Sequence, residues 1–243
     1  MQWIYAFLTC RFQCVVTQHS YSNWQPVLSG VPQGSVLGSL LFILFINDIS
    51  DICLGRPAVT HKLYADDLKL YSTIKSQCDA AELQSALDRL QQWCSDWQLQ
   101  INTSKCHVLH LGKNNNNYYS YYLNGFKVGV ADAVTDLGVN IDRTLKYDKH
   151  INNIVGRAYS RVGILFKGFA SRSVQVLRQA YITYVRPVLE YASSVWSPHL
   201  IKHINAIERL QKKFTKRIPS ISHLSYPERL AAINLEPHGT PAT

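Results

Sequence analysis

Hydrophobic and polar positions alternate in short runs through the middle of this chain and recur at helical spacing through its second half. His61-Lys62-Leu63 and Leu68-Lys69-Leu70-Tyr71 have the two-residue period of strands and flank the tetrapeptide Tyr64-Ala65-Asp66-Asp67. They predict a tight hairpin over 59–73 with both aspartates at its tip. Tyr118–Leu123 and Phe126–Val130 flank Asn124-Gly125, the dipeptide of a type I′ turn, and predict a second hairpin beyond a low-complexity loop, Asn114–Asn117. Val108–Leu111 and Val134–Ile141 are predicted as further strands. The continuous apolar stretch Leu40–Ile52 predicts a buried helix ending near Gly55 and Pro57. Residues 79–97 predict an amphipathic helix capped by Asp79, with Glu82 three residues on and Leu83, Leu87, Leu90, Cys94 and Trp97 on one face. Residues 1–28 are aromatic and apolar and predict a helix end and a short hairpin.

From Arg143 three apolar stripes follow at helical spacing. The first is Ile151, Ile154, Ala158, Val162, Leu165 and Phe169; the second is Val174, Leu177, Tyr181 and Tyr184, ended or kinked by Pro187. The third is Ile204, Ile207, Leu210, Phe214 and Ile218. The pattern is that of an α+β chain: a strand-bearing region over 1–142, a helical region over 143–237 and a polar, frayed tail over 238–243.

Charge sharpens that boundary. The 243 residues carry a formal net charge of +9, but residues 143–219 hold fifteen Lys/Arg against three acids, whereas residues 1–142 hold nine against eleven. A basic helical region of this kind suits a polyanion, although a solvated basic face has the same composition. The six cysteines form no Cys-x-x-Cys pair, and Cys106 with His107 and His110 lacks the second cysteine pair of a zinc site, so reduced thiols in an intracellular protein are expected. Leu40–Ile46 is too short for a bilayer, which needs roughly 20 apolar residues. Arg11 interrupts the apolar start, and no signal peptide is expected. The expectation is a soluble protein of the cytoplasm or nucleus with no membrane partner.

Chemistry concentrates in two stretches. Adjacent strand side chains point to opposite faces, so Asp66 and Asp67 share one site only where the strand breaks into a turn. Two such carboxylates are hard oxygen ligands for Mg²⁺ held together with substrate phosphates. Alone, the pair reads more readily as an acidic surface turn, so the metal-binding reading needs a second motif. Upstream, Ser29-Gly30-Val31-Pro32-Gln33-Gly34-Ser35-Val36-Leu37-Gly38 is a Gly-punctuated loop whose backbone can approach a ligand closely. Together with Leu41-Phe42, Asn47-Asp48-Ile49 and Tyr64-Ala65-Asp66-Asp67, this loop closely resembles motifs B and C of reverse transcriptases, nearest to the non-LTR, LINE-type retrotransposon family. Asn102-x-x-Lys105-Cys106 resembles that family's motif D, and Asp136-Leu137-Gly138-Val139 resembles the following segment that supports the primer end. Arg186-Pro187-Val188-Leu189-Glu190-Tyr191-Ala192 and Val195-Trp196 match the segment after the polymerase, so the resemblance covers most of residues 20–237.

The resemblance implies a partial right-hand polymerase palm, an antiparallel sheet with packed helices over 1–142, followed by a helical thumb. The implied activity is that of an RNA-directed DNA polymerase, a nucleotidyltransferase with an RNA template, a DNA primer and deoxynucleotides as partners and Mg²⁺ or Mn²⁺ as cofactor. Implied roles are metal binding for Asp66 and Asp67 and proton donation to pyrophosphate for Lys105, which reads equally as a solvent-facing loop lysine. Substrate and template contact falls to Ser29, Gly30, Pro32, Gln33, Gly34, Tyr64 and Ala65. Nucleic-acid backbone contact falls to Arg157, Arg161, Lys167, Lys212, Lys213, Lys216 and Arg217. The family's third metal-binding aspartate lies before motif B, and no acidic residue precedes Asp48 here. The expectation is therefore the carboxyl part of a polymerase, inactive without its amino-terminal segment; the alternative is a non-catalytic nucleic-acid-binding relic of such an element.

Overall fold

The computed structural model describes residues 2–53, 58–112 and 119–237. It divides into two compact units: Met1–Lys105 with Tyr119–Val128, and Cys106–Tyr118 with Gly129–Thr243. Both mix helix and short strands, so the chain is α+β. The expected Asn114–Asn117 loop, the helix end at Gly55 and Pro57, the strand start at Tyr118 and the tail over 238–243 lie outside the described residues.

The first unit opens with α1 (Gln2–Leu8), which buries no residue. The chain continues through β1 (Arg11–Gln13), β2 (Val16–Thr17), β3 (Ser20–Tyr21) and β4 (Gln25–Val27); β2 and β3 form an inner hairpin, and β1 pairs antiparallel with β4 outside it. Helix α2 (Val36–Ile46) starts earlier than the apolar run predicts because the Ser35 side chain accepts from the Gly38 amide and caps it. It continues as a 3₁₀ turn over Asn47–Cys53. The expected burial is corrected: only Gly38 and Ile46 of α2 are buried, while Leu40, Ile43 and Leu44 are more than half exposed. The helix is apolar on every side, and the described residues pack against only one of them. The run Val36–Cys53 reaches 18 residues at a mean hydropathy of 1.8, long and apolar enough to cross a membrane by length and composition alone. Its second half instead inserts Ile46, Ile49 and Ile52 into a protein core.

That core sits under a hairpin of β5 (Val59–Tyr64) and β6 (Asp67–Ser72), which supplies Leu63, Leu68 and Leu70 to it. Helix α3 (Gln77–Asp96) closes it with Leu90, Trp93 and Cys94. The cap of α3 is Ser76 rather than Asp79: the Asp79 carboxylate reaches back to the Ser76 amide at 2.8 Å while the Ser76 hydroxyl accepts from the Asp79 amide, a reciprocal capping box. Trp97 follows the last turn and stands edge-on to Phe45, with ring centres 5.3 Å apart. Strand β7 (His107–Leu109) belongs to the second unit. Strands β8 (Tyr122–Leu123) and β9 (Phe126–Lys127) return to the first unit and flank Asn124 and Gly125, both at positive φ as a type I′ turn requires.

In the second unit β10 (Gly129–Ala131) pairs parallel with β7, so the expected single strand Phe126–Val130 is two strands with different partners. The expected strand Val134–Ile141 is likewise a hairpin, β11 (Ala133–Asp136) and β12 (Val139–Asp142), turning at Leu137 (φ 44) and Gly138 (φ 84). Among the described residues every sheet is two-stranded, and no continuous palm-like sheet forms.

The helices follow as α4 (Asp148–Gly168), α5 (Val174–Tyr184), α6 (Arg186–Glu190), α7 (Ser193–Trp196), α8 (Ile201–Lys216) and α9 (Tyr226–Ile233). The three predicted stripes become α4, α5 and α8, whose Ile154, Val162, Leu177, Leu210 and Phe214 meet in one core with Ile218. Pro187 does not merely end a helix: it sits in the first turn of α6, where its missing amide costs nothing. Helix α9, not anticipated, starts at a Ser225–Glu228 capping box and adds Leu230 and Ile233 to the core. Buried Gln211 is satisfied by the Tyr181 hydroxyl and by the Glu236 carbonyl, to which it donates at 2.8 Å.

Candidate active site and nucleic-acid interface

The hairpin register pairs Tyr64 with Asp67, leaving Ala65 and Asp66 as the two-residue turn. Ala65 takes φ 51, an uncommon value for an L-residue, and Asp66 does not. Positive φ at the first central position only is the sign pattern of a II′ turn, which suits the twist of a hairpin. The apolar side chains below the turn are packed into the core; Tyr64, Ala65, Asp66 and Asp67 are exposed. Neither aspartate side chain has a hydrogen-bond or ion-pair partner among the described residues, so four carboxylate oxygens face solvent from a fixed turn. Asp48 has a different role: its carboxylate accepts from the Trp93 indole at 3.3 Å inside the small core.

The donor set fits a hard divalent ion such as Mg²⁺, which binds through one or two carboxylates and fills its shell with water and phosphate oxygens. Among the described residues no group of three or more His, Cys, Asp or Glu is placed to hold a metal, and Cys106, His107 and His110 do not form one. No disulfide joins the six cysteines, all of which are among the described residues.

The loop before α2 is built from its glycines. Gly30 (φ 75) and Gly34 (φ 82) adopt the left-handed backbone, and a Cβ on Gly38 would stand 2.8 Å from the Pro32 carbonyl oxygen. The Ser35 hydroxyl donates to that same carbonyl at 2.7 Å. Arg11, which the sequence did not single out, donates to the carbonyls of Ser29 at 3.3 Å and Gly30 at 2.6 Å and ties the loop to β1. Ser29, Gly30, Gln33 and Gly34 are exposed and Pro32 is half-buried. Lys105 closes a 3₁₀ turn at Thr103–Lys105 and is exposed, with no ion pair to either aspartate. The first unit thus holds the loop, the hairpin tip and Lys105, while no hydrogen bond or ion pair joins these three features among its described residues.

The second unit holds the seven candidate cations, and they differ in how free they are. Lys167 is exposed and has no hydrogen-bond partner among the described residues, and neither has Arg157. Arg161 donates to the Tyr184 carbonyl at 2.6 Å. On α8 and the residue after it, Lys212 lies over the Tyr226 ring, Lys213 over Tyr159 and Arg217 over Phe166 at 4.0 Å, while Lys216 donates to the Ser222 carbonyl at 2.8 Å. All four residues remain exposed. Sequence reasoning counted them as equal phosphate contacts because composition does not show which cations already face a ring or a carbonyl. Asp148 opens α4 and is bridged by Lys202 at 2.5 Å and His203 at 2.7 Å, and the Lys202 hydrogen bond holds its carboxyl below the usual range.

The matching family model is that of the reverse transcriptase (RNA-dependent DNA polymerase), over residues 1–141. The chain is 31% identical over 205 residues to the RNA-directed DNA polymerase from mobile element jockey of Drosophila melanogaster, covering 81% of this chain and 22% of that protein. It is 31% identical over 222 residues to the probable RNA-directed DNA polymerase from transposon X-element of the same fly, covering 88% and 24%. It is 29% identical over 225 residues to the probable RNA-directed DNA polymerase from transposon BS, covering 88% and 25%. The chain therefore spans about a quarter of the length of these relatives. No solved structure matches it significantly. With the family match running through the Ser29–Gly38 loop and the Tyr64–Asp67 turn, the chain belongs to the reverse transcriptase family, in the branch of non-LTR, LINE-type retrotransposons.

Proposed function

We propose that this chain supplies part of the palm and the thumb of an RNA-directed DNA polymerase that copies an RNA template by extending a DNA primer with deoxynucleotides, inside the cell. The observation that carries this reading is the pair Asp66 and Asp67, unpartnered at the tip of a packed hairpin within the family-matched segment. Asp66 and Asp67 would hold a divalent ion such as Mg²⁺ or Mn²⁺, which would supply activation of the primer 3′ hydroxyl and neutralisation of phosphate charge. The Ser29–Gly34 backbone and Tyr64 contact the nucleotide and template, and Lys105 donates a proton to departing pyrophosphate. Arg157, Arg161, Lys167, Lys212, Lys213, Lys216 and Arg217 hold the template–primer backbone. The family uses three aspartates, and this sequence has no acid before Asp48. The second reading, a nucleic-acid-binding protein without catalysis, is supported by the fifteen Lys/Arg against three acids in residues 143–219.

Primer extension on an RNA template with Mg²⁺ tests the reading. The 243-residue polypeptide alone yields no product at a useful rate. Fusion to an amino-terminal polymerase segment bearing the third aspartate restores extension, and Asp66→Asn in the fusion abolishes it, because a neutral amide does not balance the metal's charge. Synthesis by the bare chain, or by the fused Asp66→Asn form, overturns the assignment.

A further inference from the structure

Residues 1–47 contain a single Lys, Arg, Asp or Glu, and it is Arg11. With no acid in that stretch, its guanidinium is directed at main-chain carbonyls. Nε donates to the Leu8 carbonyl at 2.8 Å, where the last carbonyls of α1 lack helical partners. Nη2 donates to the carbonyls of Ser29 at 3.3 Å and Gly30 at 2.6 Å. A guanidinium presents its donors in one rigid plane, so a single side chain can bridge two segments in a fixed geometry. Hydrogen bonds from a charged donor are about twice as strong as neutral ones. The residue is half-buried.

The place of this bridge along the chain gives it a consequence. The ladder of β1 and β4 pairs Arg11 with Val27 and ends there. Leu28, the next residue, is 90% exposed and anchors nothing by packing. The Arg11 side chain carries the hold of β1 past the end of the sheet to the first residues of the loop. At the other end of the loop the Pro32 carbonyl accepts from the Ser35 hydroxyl at 2.7 Å and the Ser35 amide at 3.3 Å, while the Ser35 hydroxyl accepts from the Gly38 amide. Between the two holds lie Gln33 and Gly34, both exposed. No atom stands within 4 Å of where a Cβ would lie on Gly30 or Gly34, so packing does not set the backbone at these two turns. The shape of the loop rests on hydrogen bonds, and Arg11 supplies those at its start.

We infer that Arg11 is a positioning residue for nucleotide addition: its grip on the Ser29 and Gly30 carbonyls holds the Ser29–Gly34 loop in the shape that meets the incoming nucleotide. Arg11 acts through the loop and touches no reacting atom. The inference rests on the polymerase reading of that loop and adds to it a residue that lies outside the motif. A misplaced contact loop weakens substrate binding and leaves the chemistry of the aspartate turn in place. The kinetic signature is a raised KM for the deoxynucleotide at nearly constant kcat, the mark of an interaction made equally before and during reaction.

Two measurements test this. The full chain is digested with thermolysin, which cuts before accessible apolar residues. Arg11→Gln should speed cleavage at Leu28 and Val31 at least about fivefold and leave cleavage within α3 unchanged. Steady-state primer extension is then measured in the fusion that carries the third aspartate. Arg11→Gln should raise KM for the deoxynucleotide about tenfold with kcat within about threefold, whereas a change that merely weakens the fold lowers the active fraction, and so kcat, at constant KM. Arg11→Lys keeps the charge but offers a point donor in place of a fork and should fall between. Thr9→Val removes a bond to the Tyr5 carbonyl two residues from Arg11 and should leave both constants unchanged. An unmodified fusion that fails to extend refutes the polymerase reading, and the hold on the loop then stands or falls by cleavage alone. Unchanged cleavage at Leu28 and Val31, equally faster cleavage within α3, or an unchanged KM in Arg11→Gln overturns the assignment.

Discussion

The two units invest their apolar residues differently. In the helical unit Leu177, Tyr181, Leu210, Phe214 and Ile218 are fully buried, and Tyr181 stacks on Phe214 with ring centres 4.3 Å apart. In the unit carrying Asp66 and Asp67 the clustered core among the described residues is Ile46, Ile49, Ile52, Leu90 and Cys94 with partly buried neighbours, Val59, Ala86, Tyr121 and Leu123 are buried outside that cluster, and Trp3, Phe12, Trp24, Leu40 and Leu44 are exposed. The residues suited to chemistry thus stand on a thinly packed support, and the residues suited to holding a polyanion stand on a dense one. Intrinsic stability and candidate catalysis are separated along the chain.

The largest effects that probe this contrast are core truncations. Phe214→Ala is expected to cost about 3–5 kcal/mol in denaturant unfolding, whereas Leu44→Ala, at a site 65% exposed, should stay within about 0.5 kcal/mol. Equal costs would erase the distinction. Next comes Gly38→Ala, which drives a Cβ against the Pro32 carbonyl and must shift either the loop or α2. A loss of about 1–3 kcal/mol is expected, read as a lower unfolding midpoint of the first unit with the second unchanged. A smaller effect is expected at the start of α3, where Ser76→Ala should cost about 1 kcal/mol. Hydrogen bonds from the Lys75 and Ser76 amides hold the Asp79 carboxyl below its ordinary range. Its stabilising contribution is therefore complete above the ordinary carboxyl pKa and is lost as pH falls through the lowered folded value. Thermal melts of the first unit across that acid range should flatten in Asp79→Asn, and an unchanged slope would remove the capping box from the account.

How far the sequence speaks follows from what each element depends on. The hairpin over 59–72 was legible because alternation and turn chemistry agree, and Asn124-Gly125 because its turn needs those residues. Helices α4, α5 and α8 were legible because their stripes are long. The hairpin at Leu137-Gly138 was not, since leucine seldom takes positive φ and the apolar run continues through the turn. The exposure of α2 was invisible because an apolar helix reads as buried until its neighbours are known. The aspartate pair and the Ser29–Gly34 loop were identifiable by motif, whereas the role of Arg11 depends on contacts between segments distant in sequence. The cations misled by number: a lysine over a ring and a lysine in open solvent count alike.

The most direct measurement of the division between the units is affinity for an RNA–DNA hybrid across a salt series. The unmodified chain is compared with a form carrying Asp66→Asn and Asp67→Asn, one carrying Lys62→Gln and Lys69→Gln, and one carrying Arg157→Gln, Lys167→Gln and Lys213→Gln. Binding by the unmodified chain should weaken steeply with salt, each phosphate contact contributing about 0.9 to the logarithmic slope. The helical-unit changes should lower both affinity and slope, while the Lys62/Lys69 changes should leave the slope nearly intact and the aspartate changes should not weaken binding. A flat salt dependence, or a slope lost through Lys62 and Lys69 but kept in the helical-unit variant, would contradict the account.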